Sequence, residues 1–168
     1  MIRVDRYIAL TQGKRAVIDD QDADLAQFKW CAHKKGHPGN PIYYATRSPG
    51  TIYLHRVILE RILGRPLNKN EKTDHINHDG LDNRRKNLRI ASTQENAFNE
   101  RIVSVPKASR YRGVTWHKRD LKWQASIVLD GERKHLGYFD NEDDAARAYD
   151  LTAKRVFLSF CNLNFKED

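Results

Sequence analysis

Cysteine is scarce in this sequence, and long apolar runs are absent from it. The 168 residues include two cysteines, Cys31 and Cys161, and no C-x-x-C pair. A four-cysteine zinc site is therefore excluded, and a disulfide framework is not expected. No segment reaches the roughly 18 consecutive apolar residues of a membrane-spanning helix, and the N-terminus lacks the apolar stretch of a secretory signal. These absences predict a soluble protein of a reducing cytoplasm, with no structural zinc and no membrane partner.

The chain is strongly basic. It contains 30 lysines and arginines against 22 acidic residues, which gives a formal net charge of +8 and a pI near 9.6. Such a surplus favours a polyanionic partner, nucleic acid first. Hydrophobic residues make up 39% of the chain, which is enough for it to fold rather than stay disordered. The length suits one large domain or two small ones.

The first third of the chain is typical of short strands. Segments 7–10 and 16–18 flank TQGK, a turn containing glycine, so a hairpin is expected there. Residues 34–41 are dense in glycine and proline and predict a loop. Segments 42–48 and 51–57 are rich in β-branched and aromatic residues and predict a second hairpin.

The stretch 73–99, TDHINHDGLDNRRKNLRIASTQENAFN, combines histidine, acidic, amide and basic side chains at spacings that a solvated loop does not require. EKTDHI and LRIA predict two short strands, and the glycine and Asx residues between them predict a loop. Ser92 and Glu95 form the S-x-x-E pattern of a capping box, so a helix is expected to begin there. The predicted order is strand, long loop, strand, helix.

This order, filled with these residues, resembles the HNH endonuclease family, most closely the branch found in phage and intron-encoded homing endonucleases. The resemblance is carried by Asp74 and His75, then Asn87 after eleven intervening residues, then Asn96 after eight more. It spans residues 52–99. Taken singly, each of the four residues also suits a turn, a strand end or a surface, and their joint order is what indicates a nuclease core.

The resemblance implies a role for each of these four residues. His75 would take a proton from water, and Asn87 would orient its other ring nitrogen. Asp74 and Asn96 would hold one divalent ion, and their hard oxygen donors suit Mg²⁺ or Mn²⁺ rather than zinc. That ion would act as a Lewis acid at the scissile phosphate.

Basic residues in and after the loop are candidate phosphate contacts. Arg84, Arg85 and Arg89 fit this role, with an ordinary solvated charged surface as the alternative. His55 lies in the segment LHR, which recurs in this branch, and it either approaches the site or a phosphate or only braces its helix. His78 is interpreted as a surface residue.

Residues 109–165 have a different hydrophobic pattern from the residues before them. Three alternating segments predict antiparallel strands, and an amphipathic helix capped by Asn141 follows them. The motifs YRGV, LGYFD, AARAYD and LNF resemble the DNA-binding domain of plant ethylene-response-factor transcription factors, which also occurs appended to phage and bacterial HNH endonucleases. That family folds as three strands packed on one helix, and its sheet enters the major groove of DNA.

The outward side chains of this sheet are the candidate DNA contacts, because their polar and basic groups pair with base edges or hold phosphates. The set is Arg112, Thr115, His117, Lys122, Gln124, Ser126, Arg133 and His135. The aromatic residues expected in the core instead are Trp116, Trp123, Tyr138 and Phe139. Thr115 and His117 stand where the family tends to have arginine, so the base preference of the plant domains is not transferred.

Together these features predict an α+β protein of two modules. An HNH endonuclease domain over residues 1–100 has a ββα-metal core at 52–99, preceded by short β-hairpins. A linker at 101–108 leads to a DNA-binding domain over residues 109–168, in which a three-stranded antiparallel sheet packs on one α-helix.

The function that the two resemblances imply is site-selective, metal-dependent hydrolysis of phosphodiester bonds in double-stranded DNA, as in a homing endonuclease. One base and one divalent ion per chain imply a nick as the default product, made by a monomer or by a DNA-induced dimer. The expected location is the cytoplasm of a bacterial host, with the gene carried by a phage. Two alternatives are a DNA-binding transcriptional regulator with a vestigial nuclease core and a nonspecific degradative nuclease.

Overall fold

The chain divides into two compact units, Met1–Asn96 and Ala97–Asp168. A computed structural model describes residues 6–37, 40–49, 51–99 and 109–165. Both units combine antiparallel strands with few helices, so the predicted α+β class is confirmed at that level. The linker predicted at 101–108 lies outside the described residues. None of the described helices is long and apolar enough to cross a membrane.

The first unit opens with two antiparallel hairpins. β1 (Arg6–Ala9) pairs with β2 (Arg15–Ile18), in agreement with the predicted first hairpin. β3 (Cys31–His37) and β4 (Asn40–Arg47) form a longer hairpin, and β5 (Ile52–Tyr53) pairs with the end of β4. The three strands β3, β4 and β5 therefore make one small sheet with β4 at its centre.

The loop predicted at 34–41 is wrong, because β3 and β4 extend through most of it. Gly36 adopts φ +89° and pairs with Pro41 across the hairpin. Pro41 is compatible with this strand because β5 reaches only the far end of β4, so the Pro41 end of β4 is a sheet edge on one side. Gly36 and Pro41, two of the residues that predict a loop, are here accommodated within strands.

The core of the first unit lies between the hairpins and helix α1 (Leu54–Leu63). This helix buries the side that carries Leu54 and Ile58, which are one turn apart, and it ends at Gly64 with φ +65°. A 3-10 helix at Asp20–Gln27 covers the other side of the core. The larger apolar members of this core are Ile8, Leu10, Ile18, Leu25, Trp30, Leu54, Ile58, Leu59, Leu67 and Leu88.

Two further strands and a short helix follow in the predicted order. β6 (Lys72–His75) pairs antiparallel with β7 (Leu88–Ala91), and α2 (Thr93–Asn99) begins directly after β7. The predicted capping box is present: the backbone N–H of Glu95 donates to Ser92 Oγ at 3.1 Å, and that of Ser92 donates to Glu95 Oε2 at 2.7 Å.

The second unit is a three-stranded antiparallel sheet packed on one helix. Its strands are β8 (Val114–His117), β9 (Lys122–Leu129) and β10 (Glu132–Phe139), with β9 in the centre. Asp130 and Gly131 link β9 to β10 with φ angles of +50° and +82°, which fits the predicted Asp-Gly hairpin turn.

Helix α3 (Glu142–Phe157) lies against this sheet. Asn141 caps it, and its Oδ1 accepts from the backbone N–H of Asp144 at 2.9 Å. Ala145, Ala146 and Ala153 are fully buried, so the helix backbone lies close to the strands. Among residues 109–165, no element covers the opposite face of the sheet, which we call the open face.

Candidate functional site

Strand β6 carries the two residues at the centre of the candidate site, Asp74 and His75. Both are buried, with 5% and 7% of their surface exposed. Arg89 lies directly across the ladder from Asp74, and its Nε donates to Asp74 Oδ2 at 2.8 Å. Arg89, a predicted phosphate contact, therefore makes an ion pair with the Asp74 carboxylate.

The environment of His75 keeps its imidazole neutral. Burial lowers the pKa of His75 below its usual value, and the nearby Asn83 carboxamide and the charge of Asp74 only partly oppose this effect. The His55 ring stands edge-on to the His75 ring with 5.0 Å between the centroids, and the Tyr44 ring is 5.9 Å away. A neutral imidazole is the form that accepts a proton.

The loop between β6 and β7 is closed by amide side chains. Asn87 Oδ1 accepts from the backbone N–H of Asn77 at 3.0 Å, and Asn87 Nδ2 donates to Asn77 Oδ1 at 3.0 Å and to the Asp82 carbonyl at 2.7 Å. These bonds join the two ends of the loop. The amide whose proximity acts on the pKa of His75 is that of Asn83, which is fully buried and donates through Nδ2 to the Leu81 carbonyl at 3.0 Å. Sequence reasoning missed Asn83, because nothing in its spacing separates it from the other Asx residues of the loop.

The other two loop arginines also pair with carboxylates. Arg84 donates to both oxygens of Asp82 at 2.7 and 2.8 Å. Arg85 donates to both oxygens of Asp22 at 2.8 and 2.9 Å, and its backbone N–H donates to Asp19 Oδ2 at 2.7 Å. Asp22 is fully buried in the N-terminal 3-10 helix. The basic groups of the loop therefore fasten the loop itself.

Backbone contacts fasten the same loop to β2 and β4. The Val17 N–H donates to the Leu81 carbonyl, and the Asn83 N–H donates to the Val17 carbonyl, both at 2.8 Å. Gly80 touches β4 so closely that a Cβ atom there would lie 2.5 Å from the Tyr43 carbonyl oxygen. The loop over the site is thus a packed element of the first unit.

His55 approaches the site, which was one of the alternatives for it. Its ring stacks on Tyr53 at 5.1 Å with an interplanar angle of 18°, and Lys35 Nζ lies 4.9 Å from the centroid of the same Tyr53 ring. Burial and the positive charges of Lys35 and Arg56 lower the pKa of His55 to about 3. His55 is therefore a neutral neighbour of His75.

The oxygen donors predicted to hold a metal suit a hard divalent cation. Asp74 offers a carboxylate, and Asn96, half-buried on α2, offers a carboxamide. The described residues contain no cluster of three or more His, Cys, Asp or Glu side chains able to hold a metal. A donor set of one carboxylate and one carboxamide, completed by water and phosphate oxygens, fits Mg²⁺ or Mn²⁺ and does not fit zinc.

In the second unit, the uncovered sheet face carries most of the predicted DNA contacts. Strand pairing puts Thr115 beside Gln124 and His135 beside Ser126, on the face opposite the buried Ala125 and Ile127. The predicted residues found on this open face are Thr115, His117, Lys122, Gln124, Ser126, Arg133 and His135. Arg112 differs, since it precedes β8 and its side chain hydrogen-bonds to the buried Tyr149 of α3.

Tyr138, predicted to lie in the core, is on the open face and 43% exposed. A β-bulge between His135 and Gly137 shifts the register by one residue, which turns Tyr138 to the side of Gln124. Its ring lies 4.6 Å from the His135 ring and 5.1 Å from the His117 ring. Gln124 Nε2 is 3.1 Å from His135 Nδ1, so the open face carries a connected polar and aromatic cluster.

Comparison with known proteins identifies the class of both units. The HNH endonuclease family model matches residues 52–98, the segment that carries Asp74, His75, Asn87 and Asn96. The C-terminal part is similar to AP2-like factors. Both resemblances inferred from the sequence are thereby confirmed.

Particular relatives support the same division. Over 140 residues the chain is 29% identical to an uncharacterized HNH endonuclease of Acanthamoeba polyphaga mimivirus. The matched region makes up 83% of this chain and 68% of the viral protein. Over 59 residues it is 41% identical to an AP2-like ethylene-responsive transcription factor of Arabidopsis thaliana and 39% identical to APETALA2-like protein 2 of Oryza sativa subsp. japonica. These matches span 35% of this chain but only 12% and 14% of the plant proteins. The relatives support a nuclease whose partner is DNA.

Proposed function

We propose that this protein is a site-selective, metal-dependent DNA endonuclease that hydrolyses phosphodiester bonds in double-stranded DNA. Its main support is the buried, neutral His75 beside the Asp74 carboxylate, within a segment that matches the HNH endonuclease family. A neutral imidazole next to an oxygen donor for a divalent cation supplies the two groups that hydrolysis of a phosphodiester requires.

Each residue of the site has a defined task in this mechanism. His75 takes a proton from the attacking water, and the buried carboxamide of Asn83 lies beside its imidazole. Asn87 keeps the loop closed over the strand ends. Asp74 and Asn96 would hold one Mg²⁺ or Mn²⁺ ion, which would supply Lewis-acid stabilisation of negative charge on the phosphate. The elements β6, β7 and α2 then form a ββα-metal core.

One active site per chain defines the expected product. One general base, at a site that would hold one ion, serves one phosphodiester at a time, so one chain is expected to nick one strand. Cutting both strands requires a second chain or a second binding event. The uncovered face of the C-terminal sheet, with Gln124, Arg133 and His135, selects the site on DNA, as in a homing endonuclease.

The similarity of the C-terminal part to transcription factors favours a second candidate function, a DNA-binding regulator. Incubation of the protein with DNA and Mg²⁺ separates the two functions, because a regulator leaves every phosphodiester intact. Mapping the ends produced on a natural substrate genome distinguishes a site-selective enzyme from a nonspecific nuclease.

Asp74→Asn is expected to reduce Mg²⁺-dependent cleavage by roughly 10²–10³-fold, because it removes the anionic oxygen that holds the ion at the reacting phosphate. DNA binding should change little. The rate is measured as nicking of supercoiled plasmid at saturating protein over a range of Mg²⁺ concentrations.

The matched control for that variant is Asp79→Asn in the same loop. Asp79 is exposed, and its Oδ1 accepts from the Leu81 N–H at 2.9 Å, a bond that an asparagine oxygen also makes. If Asp74→Asn nicks DNA as fast as Asp79→Asn, Asp74 is not a ligand for the required ion.

Arg133→Ala is expected to relax sequence preference at one position of the target, at a cost of about 1–3 kcal/mol in discrimination when arginine reads a guanine edge. The measurement is selection of bound DNA from a randomised pool by the full chain. Lys134→Ala serves as the control, because Lys134 pairs with Ile127 on the face toward α3. Equal sequence preference in the wild type and in Arg133→Ala would remove Arg133 from the reading surface.

A further inference from the structure

One face of the β3–β5 sheet carries exposed basic and aromatic side chains next to the candidate active site. Strand pairing puts His33 opposite Tyr44 and Tyr53 opposite Thr46, so these side chains share one face of the sheet. Lys35, two residues after His33, lies on this same face. We call His33, Lys35, Tyr44 and Tyr53 the basic shelf. Its two basic residues are exposed, and its two tyrosines are half-buried.

The basic shelf is continuous with the active site. The Tyr53 ring stacks on His55, and the rings of His55 and Tyr44 both lie against His75. The Nδ1 atom of His55 is buried and makes no hydrogen bond within the described part of the chain. A buried ring nitrogen therefore lies next to the basic shelf, and an oxygen atom of a bound ligand would form the hydrogen bond that this nitrogen lacks.

Lys35 is positioned in a way that suits an external anion. Its Nζ lies 4.9 Å from the Tyr53 ring centroid and 5.9 Å from that of Tyr44, so the rings hold the ammonium group over the shelf. Among the described residues Lys35 makes no salt bridge, whereas Arg84, Arg85 and Arg89 each pair with a carboxylate. The positive charge of Lys35 is therefore available to a phosphate, whereas those three arginines already have carboxylate partners.

We propose that the basic shelf binds the phosphate backbone of the DNA strand that enters the His75 site, with Lys35 as the phosphate contact and Tyr53 as its support. This inference rests on the proposed nuclease function. Tyr53 is covered by His55 on one side and approached by Lys35, so it supports the lysine rather than stacking on a base. The ligand is thus the sugar-phosphate backbone, read without regard to sequence.

The chain offers a matched pair of variants for the test. Lys35→Ala removes the shelf lysine, and Lys34→Ala removes the adjacent exposed lysine, whose cross-strand partner Tyr43 lies on the opposite face of the sheet. Binding of the full-length variants to mixed-sequence duplex DNA is measured over a range of salt concentrations. For Lys35→Ala, affinity should fall several-fold, and the slope of log affinity against log salt should become shallower by about 1. Lys34→Ala should bind like the wild type.

Two further measurements make the result specific. Lys35→Arg should restore the wild-type salt slope, because arginine keeps the charge over the tyrosine rings. In single-turnover nicking, Lys35→Ala should require several-fold more protein for half-maximal rate and reach a rate close to that of the wild type at saturation. Equal DNA binding by Lys35→Ala and Lys34→Ala would overturn the proposal that the basic shelf binds DNA phosphates. Failure of Lys35→Arg to restore the salt slope would overturn it as well. Intact DNA in every Mg²⁺ reaction would overturn the nuclease function, and the binding series would still test the shelf.

Discussion

His75→Ala is expected to reduce nicking of DNA by roughly 10²–10⁴-fold, the range that a positioned general base contributes. The imidazole is buried and neutral, so it is in the proton-accepting form at neutral pH. In the described part of the site, no other buried, neutral imidazole is adjacent to Asp74. DNA binding should stay close to wild type, because His75 exposes only 7% of its surface. Single-turnover nicking at saturating protein and a gel-shift titration measure the two effects separately.

The control for this variant is His78→Asn in the same loop. His78 has φ +63°, a conformation that asparagine adopts readily, so the substitution leaves the backbone undisturbed. Nicking by His78→Asn should match the wild type. Wild-type nicking by His75→Ala would reject His75 as the base, and equal losses in both variants would indicate that the loop, rather than one proton acceptor, limits the reaction.

The parts of the site that follow from local sequence were predictable. The capping box of Ser92 and Glu95 fixes where α2 begins, and alternation fixes β6 and β7. These signals act over a few residues, so a single sequence contains them. The sequence does not reveal that His55 lies beside His75, because this contact depends on how α1 packs against β6. The 19 residues between the two histidines carry no local signal for it.

The roles of the loop arginines show where local reasoning fails. Arg85 looks like a phosphate contact in the sequence, yet its guanidinium is bound by Asp22, which is 63 positions away. Such a pairing depends on tertiary packing. Composition gives the net charge of +8 but not which cations are free to meet DNA, because Arg84, Arg85 and Arg89 are each paired with a carboxylate in the first unit. The exposed cations that remain available include Lys35 on the basic shelf and Arg133 on the open face of the second unit.

Tyr138 illustrates a second physical limit. Strict alternation along β10 puts Tyr138 on the same side as the buried residues, and one bulge after His135 reverses this assignment. Gly137, with φ +141°, marks the bulge only once the pairing with Ala125 is known. The consequence is functional, because the bulge adds an aromatic ring to the surface that carries Gln124 and His135.

Asp22→Ala is expected to lower the free energy of unfolding of the first unit by roughly 3 kcal/mol, the lower end of the range for breaking a buried ion pair. Asp22 is fully buried, and the substitution leaves the guanidinium of Arg85 without its carboxylate partner inside the fold. The cost stays at the low end because the side chains of Arg85 and Arg61 are 27% and 35% exposed and retain contact with water. Urea unfolding measures the change.

Asp24→Ala provides the comparison, since Asp24 lies in the same 3-10 helix and binds Arg61 through two bonds of 2.7 Å but is half exposed. Exposed ion pairs contribute little, so this variant should unfold at nearly the wild-type urea concentration. Hydrogen exchange locates the effect: the amides of Val17 and Asn83, which join β2 to the loop, should exchange faster in Asp22→Ala only. Because the same loop carries Asn83 to His75, Asp22→Ala should also nick DNA more slowly near its unfolding temperature. Equal stability of the two variants would mean that the loop is held by its backbone contacts and not by the buried carboxylate.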